Sequence, residues 1–187
     1  MVQAPRKLLT LEDFLQLPET KPASEYLNGQ IIQKPLPQGE HSAIQTELAP
    51  AINAIVKPQK IARAFTELRC SFGDRSLVPD ISVFRWERIP RKPEGGIANR
   101  FLLAPDWAIE ILSPDQSQTK VTKNILHCLN HGTPMGWLID PGERSVLIFS
   151  GDRPTIIYDQ PQSQLSVPEF AQQLQLKIQE LFGWLEE

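Results

Sequence analysis

Cysteine is scarce in this chain: 187 residues hold only Cys70 and Cys128. Neither shows metal-ligand spacing or a disulfide pattern. That excludes a disulfide-stapled scaffold and a cysteine zinc site, and it fits reduced thiols in the cytosol. No apolar stretch is long enough to span a bilayer. The opening Met1-Val2-Gln3-Ala4-Pro5-Arg6-Lys7 lacks the apolar segment of a secretory signal. A cytoplasmic location without a membrane partner is therefore the expectation. A strong charge of one sign is missing too. The formal net charge of -3 gives no global pull towards nucleic acid, so such binding would need a local basic patch. Internal repeats and low-complexity tracts are absent.

What remains is ordinary for a soluble globular protein, with 41% hydrophobic and 22% charged residues. The length predicts one domain over 1–187, with a core at about 41–150 and a C-terminal helix over 168–187. A helix is expected over Leu8–Leu17, opened by Thr10-Leu11-Glu12-Asp13 and stopped by Pro18. Asn28-Gly29 marks the turn of a β-hairpin between Glu25-Tyr26-Leu27 and Gln30-Ile31-Ile32. His41–Val56 has helical apolar spacing, with Pro50 expected to kink or split it. Strands are predicted over Ile61–Phe72 and Leu77–Phe84, and a long basic loop over Arg85–Arg100. Further strands are expected at Met135–Asp140, Ser145–Phe149 and Pro154–Tyr158, with a helix between Ser113 and Asn130 and a last one over Glu169–Trp184. The order implies an α/β fold with a mixed central sheet flanked by helices.

One stretch stands out. Trp107-Ala108-Ile109-Glu110-Ile111-Leu112-Ser113-Pro114 reads as a strand buried on both faces, with one carboxylate in its middle. A lone ionised carboxylate there costs several kcal/mol, in order of magnitude, unless it is paired or metal-bound. Asp80 lies on the preceding predicted strand, hemmed by Val78, Pro79 and Ile81. Two carboxylates brought together repel, which raises one pKa unless a cation sits between them. Hard oxygen ligands suit Mg2+ or Mn2+, with waters and a substrate phosphate completing the shell. Such an ion acidifies bound water and neutralises charge developing on a phosphodiester. A nearby lysine would complete the apparatus. Lys120 and Lys123 lie three apart, on one face of the following helix.

These residues resemble the PD-(D/E)xK nuclease signature: Pro79-Asp80, then Glu110-Ile111-Leu112. The wider frame is similar to the Uma2 family, formerly a domain of unknown function and abundant in cyanobacteria. It runs from Glu25-Tyr26-Leu27-Asn28-Gly29 through His41 and Val78-Pro79-Asp80 to Glu110-Ile111-Leu112-Ser113-Pro114 and Gly136-Trp137-Leu138-Ile139-Asp140-Pro141. The resemblance implies a restriction-endonuclease-like core, a divalent metal on Asp80 and Glu110, and hydrolysis of DNA phosphodiesters. Leu112 stands where the short signature has its lysine. In Uma2-like chains that lysine comes from the following helix, at a position occupied here by Asn124, with Lys123 beside it and Lys120 one turn earlier. The role passes to Lys123.

Simpler readings stand alongside. Asp80 can cap backbone amides, and Glu110 can pair with Arg69 or Lys123. His41 can reach the cleft or cap its helix, and Glu47 can face the cleft or solvent. Arg85, Arg88, Arg91 and Lys92 can follow a phosphate backbone or form a solvated excursion. Phe170, Leu174, Leu181 and Trp184 give the last helix an apolar face for a homodimer. The alternative to a nuclease is a non-catalytic nucleic-acid- or protein-binding module on the same fold.

Overall fold

The computed structural model describes residues 9–114, 116–151 and 153–186. Helix α1 (Leu11–Leu15) is held at its start by reciprocal bonds between Thr10 and Asp13. Strands β1 (Ser24–Leu27) and β2 (Gln30–Gln33) then form the hairpin expected from Asn28-Gly29. Both turn residues have positive φ, 51° and 84°, which Asn and Gly tolerate best. Helix α2 (Gly39–Val56) is not split at Pro50 but continues through it. Its buried face, Ile44, Leu48, Ile52 and Val56, packs on the sheet and outweighs the hydrogen bond lost at the proline.

The strand expected over 61–72 is two: β3 (Ala62–Thr66) and β4 (Cys70–Phe72), parted at Glu67, where φ is 50°. The next expected strand also splits. β5 (Arg75–Leu77) and β6 (Ile81–Arg85) belong to different sheets, with Pro79-Asp80 at the crossing. Then come β7 (Trp107–Ile111), α3 (Gln118–Asn130), β8 (Met135–Asp140), β9 (Ser145–Ser150), β10 (Arg153–Tyr158) and α4 (Ile178–Gly183). The long C-terminal helix is reduced to a 3-10 turn, Glu169–Ala171, and α4. Between them Leu176 accepts from the N–H of Leu165 and Lys177 forms a bridge with Gln164, so this stretch is drawn into extended pairing with the segment before the turn.

One sheet has the order β10-β9-β8-β7-β6-β3 and the other β2-β1-β5-β4. Among the named strand pairs of the described residues, only β7 and β8 run parallel, as a strand pair joined by a crossover helix must. One face of the large sheet packs on α2 and the C-terminal segment through Ile81, Val83, Trp107, Ile109 and Ile111. The Trp107 and Trp137 rings meet there, 4.8 Å apart. Leu174 and Leu181 are buried in that same core. The apolar face considered for a dimer is therefore largely consumed within the chain. On the opposite face, Leu112, Leu138 and Phe149 lie under Val121 and Ile125 of α3. Gly136 permits this approach, because a β-carbon there would collide with Ile125. Beside α3 the small sheet covers Phe84 and Ala108 with Cys70, Phe72 and Leu77. Both cysteines are free and buried, and burial pushes the Cys70 thiol up to about 12.

Candidate active site

Strand register brings the two predicted acids together. β6 and β7 are antiparallel with Ile81 opposite Ile109, so one step further Asp80 faces Glu110 on the same side of the sheet. That side is the α3 face, since Ile81, Ile109 and Ile111 point the other way. Asp80 is 2% exposed and Glu110 4%. The backbone N–H of Ile111 donates to Asp80 Oδ2 at 2.7 Å, fixing the carboxylate across the strand pair.

The cation between them is Lys34, which sequence reasoning did not single out. Its Nζ lies 2.6 Å from Asp80 Oδ1 and 3.7 Å from Glu110 Oε2. It also donates to the carbonyl of Val78 at 2.7 Å. Lys34 follows β2 directly, and Pro35 restricts it to extended backbone. Its own N–H is anchored on the carbonyl of Ala23. No local pattern in Gln33-Lys34-Pro35 marks an inward lysine; the pairing of the hairpin with β5 places it over the acids.

A third acid joins the cluster. Glu25, in β1, accepts from the Val78 N–H at 2.8 Å and from Asn124 Nδ2 at 3.0 Å. Asn124 therefore ties α3 to the hairpin, and its Oδ1 is buried without a partner. The signal for Glu25 was a carboxylate within a short apolar hairpin strand. From α2, His41 Nε2 lies 3.1 Å from Asp80 Oδ2, while His41 Nδ1 is buried and has no partner. Four residues on, Gln45 donates to the carbonyl of Asp80 at 2.8 Å and to Glu67 at 3.0 Å. Glu47 points the other way, exposed on the outer side of α2.

Three acids around one lysine set the charges. Burial raises Glu110 well above the usual carboxylate range. Lys34 opposes that, but the neighbouring Asp80 and Glu25 charges and a hydrogen bond to Asp80 reinforce it. Asp80 is also penalised by burial, yet Lys34 and His41 hold it well below its ordinary value. Burial likewise disfavours the Lys34 ammonium, and the carboxylates of Asp80, Glu110, Glu25 and Glu67 overcome it. The surroundings thus favour the charged forms of Asp80 and Lys34 and disfavour the charged form of Glu110.

Two cavities flank this cluster, and Lys34, Pro35 and Gln116 wall both. One, of about 560 Å³, reaches Asp80 and His41 past Arg69, Pro22 and Leu36. The other, of about 680 Å³, reaches Glu110 and Asn124 and is lined by Arg75, Lys120 and Lys123 near the start of α3. Lys120 and Lys123 are exposed on this outer wall. The cation on the acids is Lys34, not Lys123. Arg69 is engaged by Glu19 at 2.6 Å, so it is not Glu110's partner either. The basic loop lies elsewhere. β6 leads away from Asp80, and Arg85 begins that loop about 16 Å along the strand. Arg88 is paired with Asp106 at 2.6 Å, Arg91 stacks over Trp86, and Lys92 is exposed.

Asp80, Glu110 and the Val78 carbonyl are hard oxygen donors aimed at one cationic centre, the composition a divalent ion accepts once water and phosphate fill the remaining positions. Among the described residues, no three His, Cys, Asp or Glu side chains form a ready metal cage. The donor set fits a divalent ion at the place the Lys34 ammonium takes.

A mixed sheet with paired acids at one end of two neighbouring strands defines a restriction-endonuclease-like fold, a class that generally uses divalent metal ions. Residues 11–179 match the family described as "Uma2: Putative restriction endonuclease", and the chain belongs to that family. It is similar to a solved protein from Anabaena variabilis ATCC 29413, described as a putative nuclease belonging to DUF820. The two share 66% identity with a TM-score of 0.93, over 94% of this chain and 98% of that one. Comparison with curated proteins gives no significant match. No helix among the described residues is long and apolar enough to cross a membrane.

Proposed function

We propose that the protein is an endonuclease that hydrolyses DNA phosphodiesters with Mg2+ or Mn2+. The observation that carries this reading is the convergence of Asp80 and Glu110 on one cationic centre between two open cavities. Asp80, Glu110 and the Val78 carbonyl would hold the ion. When bound, it supplies an acidified water and charge neutralisation at phosphorus. Hydrolysis forms a bond from the water oxygen to phosphorus and breaks the bridging P–O bond. One proton leaves the water and one reaches the departing oxygen.

The chain's own residues orient this chemistry. Ile111 N–H and His41 fix Asp80, while Glu25 and Asn124 brace the hairpin that carries Lys34. Lys34, on a long stem beside the acids, takes the ammonium role first assigned to Lys123. Arg75, Lys120 and Lys123 then offer cations to neighbouring phosphates at the open N-terminus of α3. The negative net charge is no obstacle to such a local patch.

The Lys34–Asp80 ion pair also favours a second reading, a nucleic-acid-binding module whose acids are permanently neutralised. Incubation of supercoiled plasmid and single-stranded DNA with Mn2+ separates the two. The nuclease reading expects nicking by the wild type and none by Glu110→Ala. Binding of the plasmid without nicking would leave the module.

A further inference from the structure

Lys34 occupies the position at which two carboxylates and a carbonyl converge. Its Nζ is 2.6 Å from Asp80 Oδ1, 2.7 Å from the Val78 carbonyl and 3.7 Å from Glu110 Oε2. An ammonium and a divalent ion cannot both sit there, because the place is too small and the charges are alike. We propose that Lys34 is a tethered counter-cation that holds the acids of the metal-free site and withdraws into the adjoining groove when a divalent ion binds.

This inference rests on the metal-dependent reading above and adds to it a competition built into the chain. The side chain has room to move. Cavities of about 560 and 680 Å³ open on either side of the Lys34-Pro35 strap. The backbone can stay in place, since Pro35 and the bond to the Ala23 carbonyl hold it. Rotation about the four-carbon stem is sufficient. Withdrawal also brings the ammonium towards the groove in which a phosphate would lie. The same residue would then hold the resting site and serve the loaded one.

Two measurements test this. Calorimetric titration with MnCl2 compares the wild type with Lys34→Met, which keeps the stem and removes the charge. Metal affinity at least tenfold higher in Lys34→Met is expected, together with loss of plasmid nicking. Equal or weaker affinity in a variant that melts as cooperatively as the wild type overturns the displacement and leaves the nuclease reading standing. Absence of binding in both proteins overturns both. The second measurement uses the wild type alone and so does not depend on the variant folding. Lysines are labelled by reductive methylation with and without MnCl2, and modification of the Lys34 peptide is read by mass spectrometry. Withdrawal predicts several-fold faster labelling with metal. Unchanged or slower labelling shows that the ammonium has not moved, and the inference falls.

Discussion

Two buried aspartates stand at opposite ends of the same strand pair. Asp80 precedes β6 and is 2% exposed; Asp106 precedes β7 and is 4% exposed. Each takes a backbone N–H, from Ile111 and Arg85 respectively, and each meets a cation at 2.6 Å. By burial and pairing alone the two are indistinguishable. They differ in what surrounds the pair. At Asp106 a single acid meets two arginines, Arg88 and, further off at 3.8 Å, Arg85, so no acid is in excess and the loop is tied to the strand. At the Asp80 end three acids share Lys34, and cavities open on both sides. A site is marked by the surplus of acid and the access to it, more than by a buried charge.

The largest effect expected from this contrast is a crossing of phenotypes. Asp80→Asn should lower metal-dependent nicking by about 10³-fold, the equivalent of several kcal/mol of lost charge stabilisation. Asp106→Ala should leave metal affinity unchanged within about twofold and instead destabilise the fold by about 1–3 kcal/mol, because the Arg85 N–H loses its acceptor. Calorimetry and urea unfolding on both variants decide it. Loss of metal binding in Asp106→Ala would abolish the distinction between the two ends.

A smaller effect tests the surplus acid directly. Glu110 is held above its ordinary range, so the folded state keeps a proton that the unfolded chain gives up at about pH 4.3. From there upwards the folded state binds more protons, and this group makes stability fall as pH rises towards its folded pKa. Asp80 acts oppositely. Its contribution is present above about pH 3.9 and is lost as pH falls towards its lowered folded value. Lys34, held above its usual range, contributes fully below about pH 10.4 and is lost only above it. Glu110→Gln should therefore gain on the wild type as pH rises from about 4.3, by up to about 1.4 kcal/mol per unit. Urea midpoints across pH 4–8 measure this, and a constant difference would show that Glu110 ionises normally.

Much of this end of the molecule was legible in the chain. An apolar strand interrupted by Glu110 and a Pro-Asp before another strand are local patterns, and antiparallel register converts them into a facing pair. Asn28-Gly29 likewise announced its hairpin through the positive φ that both residues accept. Lys34 was not legible, because its place depends on β1 pairing with β5, a contact spanning about fifty residues that no local period records. The same holds for Glu25 and Asn124, which are 99 positions apart and joined by one hydrogen bond. The C-terminal helix was misjudged because its apolar spacing is real, yet pairing of Leu165 with Leu176 takes the backbone it would need. Periodicity reports which residues are buried; it does not report which backbone partner wins.

The smallest effect concerns which end of the sheet meets nucleic acid. Lys123 lies exposed on the wall of the Glu110 cavity, and no carboxylate pairs with it among the described residues. Arg91, at the Asp106 end, is stacked over Trp86 at 5.2 Å. A phosphate contact made by Lys123 should disappear in Lys123→Ala, weakening binding of a DNA duplex a few-fold and reducing the slope of log affinity against log salt by about one. Metal affinity should be untouched, because Lys123 does not contact the acids. Arg91→Ala should change neither slope nor affinity. Were the slope to fall in Arg91→Ala and not in Lys123→Ala, the nucleic acid would run over the basic loop. The acid cluster would then be a structural device at the quiet end of the sheet.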